Sequence, residues 1–104
     1  MPRFTLIVLL HVHSGHRDDY ERFEAEASRI MARHGGRIER RLATHGLNGE
    51  GDTVPDEVHF VAFPSSESFA AYRSDPALTA LADLRARAIR KTTILQADDL
   101  PRFQ

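Results

Sequence analysis

In LIVLLHVHSGH, residues 6–16, three histidines (His11, His13 and His16) follow directly on an apolar run, and His34, His45 and His59 are spread along the rest of the chain. Imidazole titrates closest to neutral pH of all side chains, which makes histidine the usual general acid or base and the commonest metal ligand. Three readings of these residues stand open. In the metal reading, alternate residues of one strand share a face and can chelate, but no H-x-x-x-H pair on a helix and no accompanying Glu or Asp motif supports it. In the catalytic reading, His11 or His59 is a general base in a dry pocket, with Arg41 or Arg90 stabilising an oxyanion or enolate-like charge. In the third, the histidines are polar strand ends, hydrogen-bonded or wet, in a domain that binds something.

Whichever holds, secondary structure must bring the residues together. From Arg3 to His13 one parity reads Phe4, Leu6, Val8, Leu10, Val12 and the other Thr5, Ile7, Leu9, His11, His13, so a strand apolar on both faces is expected. Tyr20, Phe23, Ala27, Ile30, Met31 and His34 then recur at helical spacing, with Asp18 and Asp19 in the first turn and Gly35 and Gly36 past the end. RIERRLATHG alternates as a half-buried strand, with Ile38, Arg40, Leu42 and Thr44 on one parity. LNGEGDTVPD has turn composition and the length of a flap. EVHFVAF reads as a second strand buried on both faces. Ser65 or Ser66 caps a helix bearing Phe69 and Tyr72, Asp75 and Pro76 restart it near residue 74, and IRKTTILQA closes the series as a β-branched strand.

With 104 residues the chain has the length of one domain, 1–104. A formal charge of -1 provides no pull toward nucleic acid, and the absence of cysteine excludes disulfides, thiolate ligands and a cysteine nucleophile. Arg3 precedes an apolar run, but that run is too short for a signal peptide and lacks its cleavage pattern; no segment approaches the roughly 18 apolar residues of a membrane span. A cytoplasmic protein without membrane or nucleic-acid partners is expected.

The order β-α-β-β-α-β is the ferredoxin-like, split βαβ arrangement, an α+β fold. Right-handed crossovers give an antiparallel sheet of order 4-1-3-2 with both helices on one face. The other face of strands 1 and 3 is then also apolar. A second copy of the sheet packed against it, making a homodimeric α/β barrel with an interior pocket, is the expected cover.

The segment FPSSESFAAYRSDPALTALADLRARA resembles family number 1330 of the domains of unknown function, a family of dimeric α/β-barrel proteins. The likeness rests on Phe63, Pro64 and Ser65 at a strand end, Tyr72 before the Ser74-x-Pro76 step, and Leu84, Arg85 and Ala88 at a helix end. It implies the dimeric fold and makes Arg85 recur, either as a site residue or in a surface salt bridge. Relatives in the wider superfamily include monooxygenases and haem-degrading enzymes.

In a 4-1-3-2 sheet, the end of strand 1 lies beside the start of strand 3, which gathers His11, His13, His45 and His59 at one end, with Arg90 and Lys91 nearby. Whether His59 shares a face with His11 depends on register. The pocket candidates are accordingly His11, His13, His59, Arg41, Arg85 and Arg90, with His11 and His59 the candidates for catalysis and no metal or cofactor specified. The function expected is binding of a small organic molecule in the barrel, with cofactor-independent acid/base or oxygenation chemistry as the activity. The alternative is a non-catalytic binding or assembly module of the same fold.

Overall fold

The computed structural model describes residues 3–49 and 51–103, and of Asp52 the backbone. Strand β1 (Phe4–Val12), helix α1 (Arg17–Arg33), β2 (Arg37–Ala43), β3 (Glu57–Phe63), helices α2 (Ser66–Arg73), α3 (Pro76–Thr79) and α4 (Ala82–Ala88), and β4 (Ile89–Ala97) follow in that order. The expected flap over 47–56 contains a 3-10 turn, Gly51–Thr53, while its Glu50, like Met1 and Pro2 at the start of the chain, lies outside the described residues.

All four strands form one antiparallel sheet of order β2-β3-β1-β4, the 4-1-3-2 arrangement. The expected α/β barrel is not what forms. Strands β2 and β4 are the two edges and do not pair, so the sheet is open. The reason is strand number: closure takes about eight strands, and four cannot curl far enough to meet. On the face without helices Ile7, Leu9, Val58 and Phe60 are half-buried.

Helix α1 ends in a Schellman motif: Gly35 turns the chain at φ 75°, the Gly36 N–H donates to Met31 O (3.0 Å) and the Gly35 N–H to Ala32 O (3.1 Å). A Cβ on Gly36 would stand 2.4 Å from the Phe63 ring and 2.6 Å from Met31. Gly36→Ala should therefore overpack this corner and lower the unfolding free energy by about 1 to 3 kcal/mol, read by urea denaturation. The interrupted second helix follows from its caps. Ser65 Oγ accepts from the Ser68 N–H (3.1 Å), and Asp75 accepts from the Ala77 N–H (2.9 Å) with Pro76 in the first turn.

The uniformly apolar parity of β1 faces the helices. Leu10 packs with Tyr20, Phe23, Ala27, Ala88 and Ile89, and Leu6 with Met31, Val61 and Phe63. Val8 packs against both clusters, and members of each line the site described next.

Candidate functional site

A cavity of about 340 Å³ lies between the helix face of the sheet and α1 to α4, at the small end of the roughly 300 to 1,000 Å³ typical of ligand sites. Leu6, Val8, Val61 and Phe63 line it from the sheet, and Phe69, Tyr72 and Leu78 from the helices. The polar groups it receives are Glu24 and His59 on the buried side and Arg73, Arg85 and Thr92 toward solvent.

Register explains how His59 arrives there. It pairs with Val8 across β1 and with Arg41 across β2, so it shares the helix face with Leu6, Val8 and Leu10. Glu57 lies two residues earlier on the same face. A β-bulge between Ile38 and Arg40 shifts β2 by one residue, so that Arg41 as well as Ile38 turns to this face and Leu42 to the other.

Glu57 and His59 are almost fully buried, at 2% exposure each. The Glu57 carboxylate accepts from Arg41 through Nε (3.1 Å) and Nη2 (2.9 Å), from the Tyr20 hydroxyl (2.9 Å), from His59 Nε2 (2.8 Å) and from Arg17. Burial alone would raise its pKa, but the hydrogen bonds from Arg41, His59, Tyr20 and Arg17 outweigh burial and hold the carboxyl at about 2. An ionised carboxylate can only accept, so the His59 proton sits on Nε2. That leaves Nδ1 as acceptor, and it faces Glu24 Oε1 at 3.5 Å.

Burial lowers the pKa of His59 against the pull of Glu57, so its neutral form is favoured. Glu24 shifts the other way. Desolvation, with the Glu57 charge behind His59, pushes it up to about 7. At neutral pH the floor of the cavity therefore holds a carboxyl group poised between its two protonation states, next to a histidine of fixed tautomer. Such a displaced carboxyl in a cleft is what general acid/base chemistry requires.

Of the residues singled out from sequence, His59 and Arg85 line the cavity, and Arg41 stands behind it as the clamp on Glu57. His11 is on the other face of the sheet, buried beside Arg90 (Nη2 to Nδ1, 3.3 Å). His13 lies in the turn after β1 with its ring 6.3 Å from that of His16, and His45 is exposed. The strand-end cluster is thus divided between two faces, and among the described residues no three His, Asp or Glu are placed to hold a metal ion. Sequence reasoning missed Glu24, Glu57 and Tyr20. Glu24 did carry a signal: it is a charged residue four positions after Tyr20, inside the apolar stripe of the first helix.

A family model described as a domain of unknown function, DUF1330, matches residues 6–97. The chain belongs to this family. The resemblance read from the Phe63 to Ala88 segment thus identified the DUF1330 family, while the sheet of this member stays open. No curated protein matches the chain. Among solved structures, a protein of unknown function from Rhodopseudomonas palustris is similar at TM-score 0.82 and 16% identity, over 96% of this chain and 84% of the other. A candidate antibiotic biosynthesis monooxygenase from Nitrosomonas europaea superposes at 0.69 with 15% identity, over 94% and 90%. A dimeric protein of unknown function with a ferredoxin-like fold from Bacteroides fragilis gives 0.62 with 14% identity, over 93% and 96%. At these identities the likeness establishes the ferredoxin-like fold. Among the described residues no helix is long and apolar enough to cross a membrane.

Proposed function

We propose that this protein binds a small organic molecule in the cavity between sheet and helices and moves a proton on it, with Glu24 as general base and His59 as its partner. The observation that carries this reading is the meeting of Glu24 and His59 at 3.5 Å on the floor of an otherwise apolar cavity. Ionised Glu24 takes a proton from the bound molecule, and the resulting carboxyl group can donate it to His59 Nδ1 or return it to a second atom of the ligand. Glu57, held by Arg41 and Tyr20, orients the imidazole and favours a positive charge on it. No redox partner is needed for a proton transfer of this kind. Deprotonation by the same base would also be the first step of a cofactor-independent oxygenation, and the Nitrosomonas relative is a candidate monooxygenase.

The test is hydrogen–deuterium exchange of carbon acids in D2O, followed by NMR over a panel of enolisable ketones, arylpyruvates and phenols. Wild-type protein should accelerate exchange of at least one compound, with a rate rising through about pH 7 as Glu24 ionises. Glu24→Gln should lose about 100-fold or more, within the range general-base catalysis contributes. Binding in the cavity without exchange that depends on Glu24 would make the protein a non-catalytic binding module.

We also propose that the working form is a homodimer joined through the face of the sheet opposite the helices, each sheet remaining open. The support is the dimeric Bacteroides relative together with the apolar row Ile7, Leu9, Phe60 and Leu95, the last 48% exposed. Light scattering should give a dimer mass for wild type and a monomer mass for Leu95→Arg. Identical masses for both would remove this face as the interface.

A further inference from the structure

The rim of the cavity differs from its floor in the state of its arginines. Near the floor, Arg17 and Arg41 are occupied by Glu57 and Glu21. At the rim, Arg73 and Arg85 are exposed, and among the described residues neither forms an ion pair. Each is nonetheless held in place. The Arg73 guanidinium lies over the Phe69 ring, 5.5 Å from its centre, and Arg85 Nη2 donates to Thr92 Oγ1 at 3.0 Å on the edge strand. Between them and the floor the walls are Phe69, Tyr72, Leu78 and Ile94, all apolar toward the cavity except for the Tyr72 hydroxyl.

We propose that the ligand is a small amphiphilic acid, its carboxylate held at the rim between Arg85 and Arg73 and its aryl or alkyl body inserted toward Glu24 and His59. This rests on the cavity being the ligand site. A guanidinium fork matches a carboxylate in two parallel hydrogen bonds, which an uncharged head group cannot use to the same extent. A cationic ligand is disfavoured because two exposed guanidinium groups line the cavity. The apolar walls supply affinity for the body by the usual burial term. With the head fixed at the rim, the end of the body that reaches the floor is the part presented to the base, so Arg85 and Arg73 become the residues that choose the substrate.

The test uses two probes of equal shape, 3-phenylpropanoate and 3-phenylpropanamide, titrated into the full-length protein and followed by amide resonances of Val8, His59, Leu78 and Thr92. The acid should bind about tenfold or more tightly than the amide, and Arg85→Gln should reduce that preference to near unity, with a smaller loss in Arg73→Gln. Both arginines are exposed, so the variants are expected to fold as wild type. Equal binding of acid and amide at these resonances, or a preference that survives in both variants, would overturn the anionic class and leave the cavity standing as a ligand site. If neither probe moves these resonances at millimolar concentration, the cavity reading fails and this proposal fails with it.

Discussion

Glu57→Ala should lower the unfolding free energy by about 3 kcal/mol or more, in the range expected when one member of a buried ion pair is removed. The carboxylate is 3% exposed, whereas its cationic partners Arg41 and Arg17 are about half exposed, at 44% and 51%. The two arginines can recover solvation when their partner is lost. Tyr20 and His59 cannot, because both are buried; without Glu57 they keep only each other, hydroxyl to Nε2 at 3.3 Å. Much of the cost therefore comes from a buried donor left without an acceptor, about 1 to 3 kcal/mol, added to the lost charge attraction. Glu57→Gln keeps one acceptor oxygen and should cost less, and urea unfolding at pH 7 measures both.

The same group gives the fold an acid-sensitive component. The pKa of Glu57 falls from its ordinary 4.5 to about 2 on folding, so its contribution is complete above about pH 4.5 and disappears as pH drops through 2. The shift corresponds to a contribution of order 3 kcal/mol. Wild type should lose that much between pH 4.5 and 2 relative to Glu57→Gln, whose side chain does not titrate. Parallel curves for the two proteins would mean that Glu57 is no better stabilised in the folded chain than in the unfolded one.

The fold was legible in the sequence because its signals are periodic and local. Phe4 to Val12 and Glu57 to Phe63 are apolar on both parities, Tyr20 to Met31 keeps a helical stripe, and Asp75 with Pro76 marks the restart of the broken helix; all of these survive folding. The site was less legible because it depends on register. His11 and His59 are both histidines near the same sheet end, yet His59 lies opposite Val8 and His11 lies opposite Lys91, which puts them on different faces. Period-two reading within one strand cannot supply that offset between strands. The bulge at Ile38–Arg40 had the same effect on β2, since it alone brings Arg41 to the side of Glu57. Glu24 and Glu57 are two of 15 acidic residues, and the sequence assigned neither a role; only the contacts show that Glu57 is clamped and Glu24 desolvated. The barrel was an inference from doubly apolar strands, which show an apolar face but not closure, and the unpaired edges β2 and β4 leave the sheet open.

Glu24→Gln should raise stability above neutral pH while slowing proton transfer about 100-fold or more, and this combination separates a working residue from a structural one. Folding lifts the Glu24 pKa from 4.5 to about 7, first through burial and then through the charge of Glu57. A raised carboxyl contributes stability that is fully present below about pH 4.5 and is lost as pH rises through 7, because ionising it inside the protein is harder than ionising it in the unfolded chain. The difference amounts to about 3 kcal/mol once Glu24 is ionised, for a side chain 16% exposed. Glutamine has the size and polarity of the protonated acid and never ionises. The variant should match wild type near pH 4, gain on it steadily from there, and reach its full advantage of about 3 kcal/mol a little above pH 7. A residue kept for stability alone would show the opposite sign, with Gln destabilising at every pH. Because Glu57 and Glu24 flank the same imidazole, their variants form a pair: one carboxylate stabilises the fold by being charged and the other destabilises it by being charged. A protein under no demand for a base at Glu24 would gain stability by discarding that charge, and the proton transfer proposed for the cavity floor would supply such a demand.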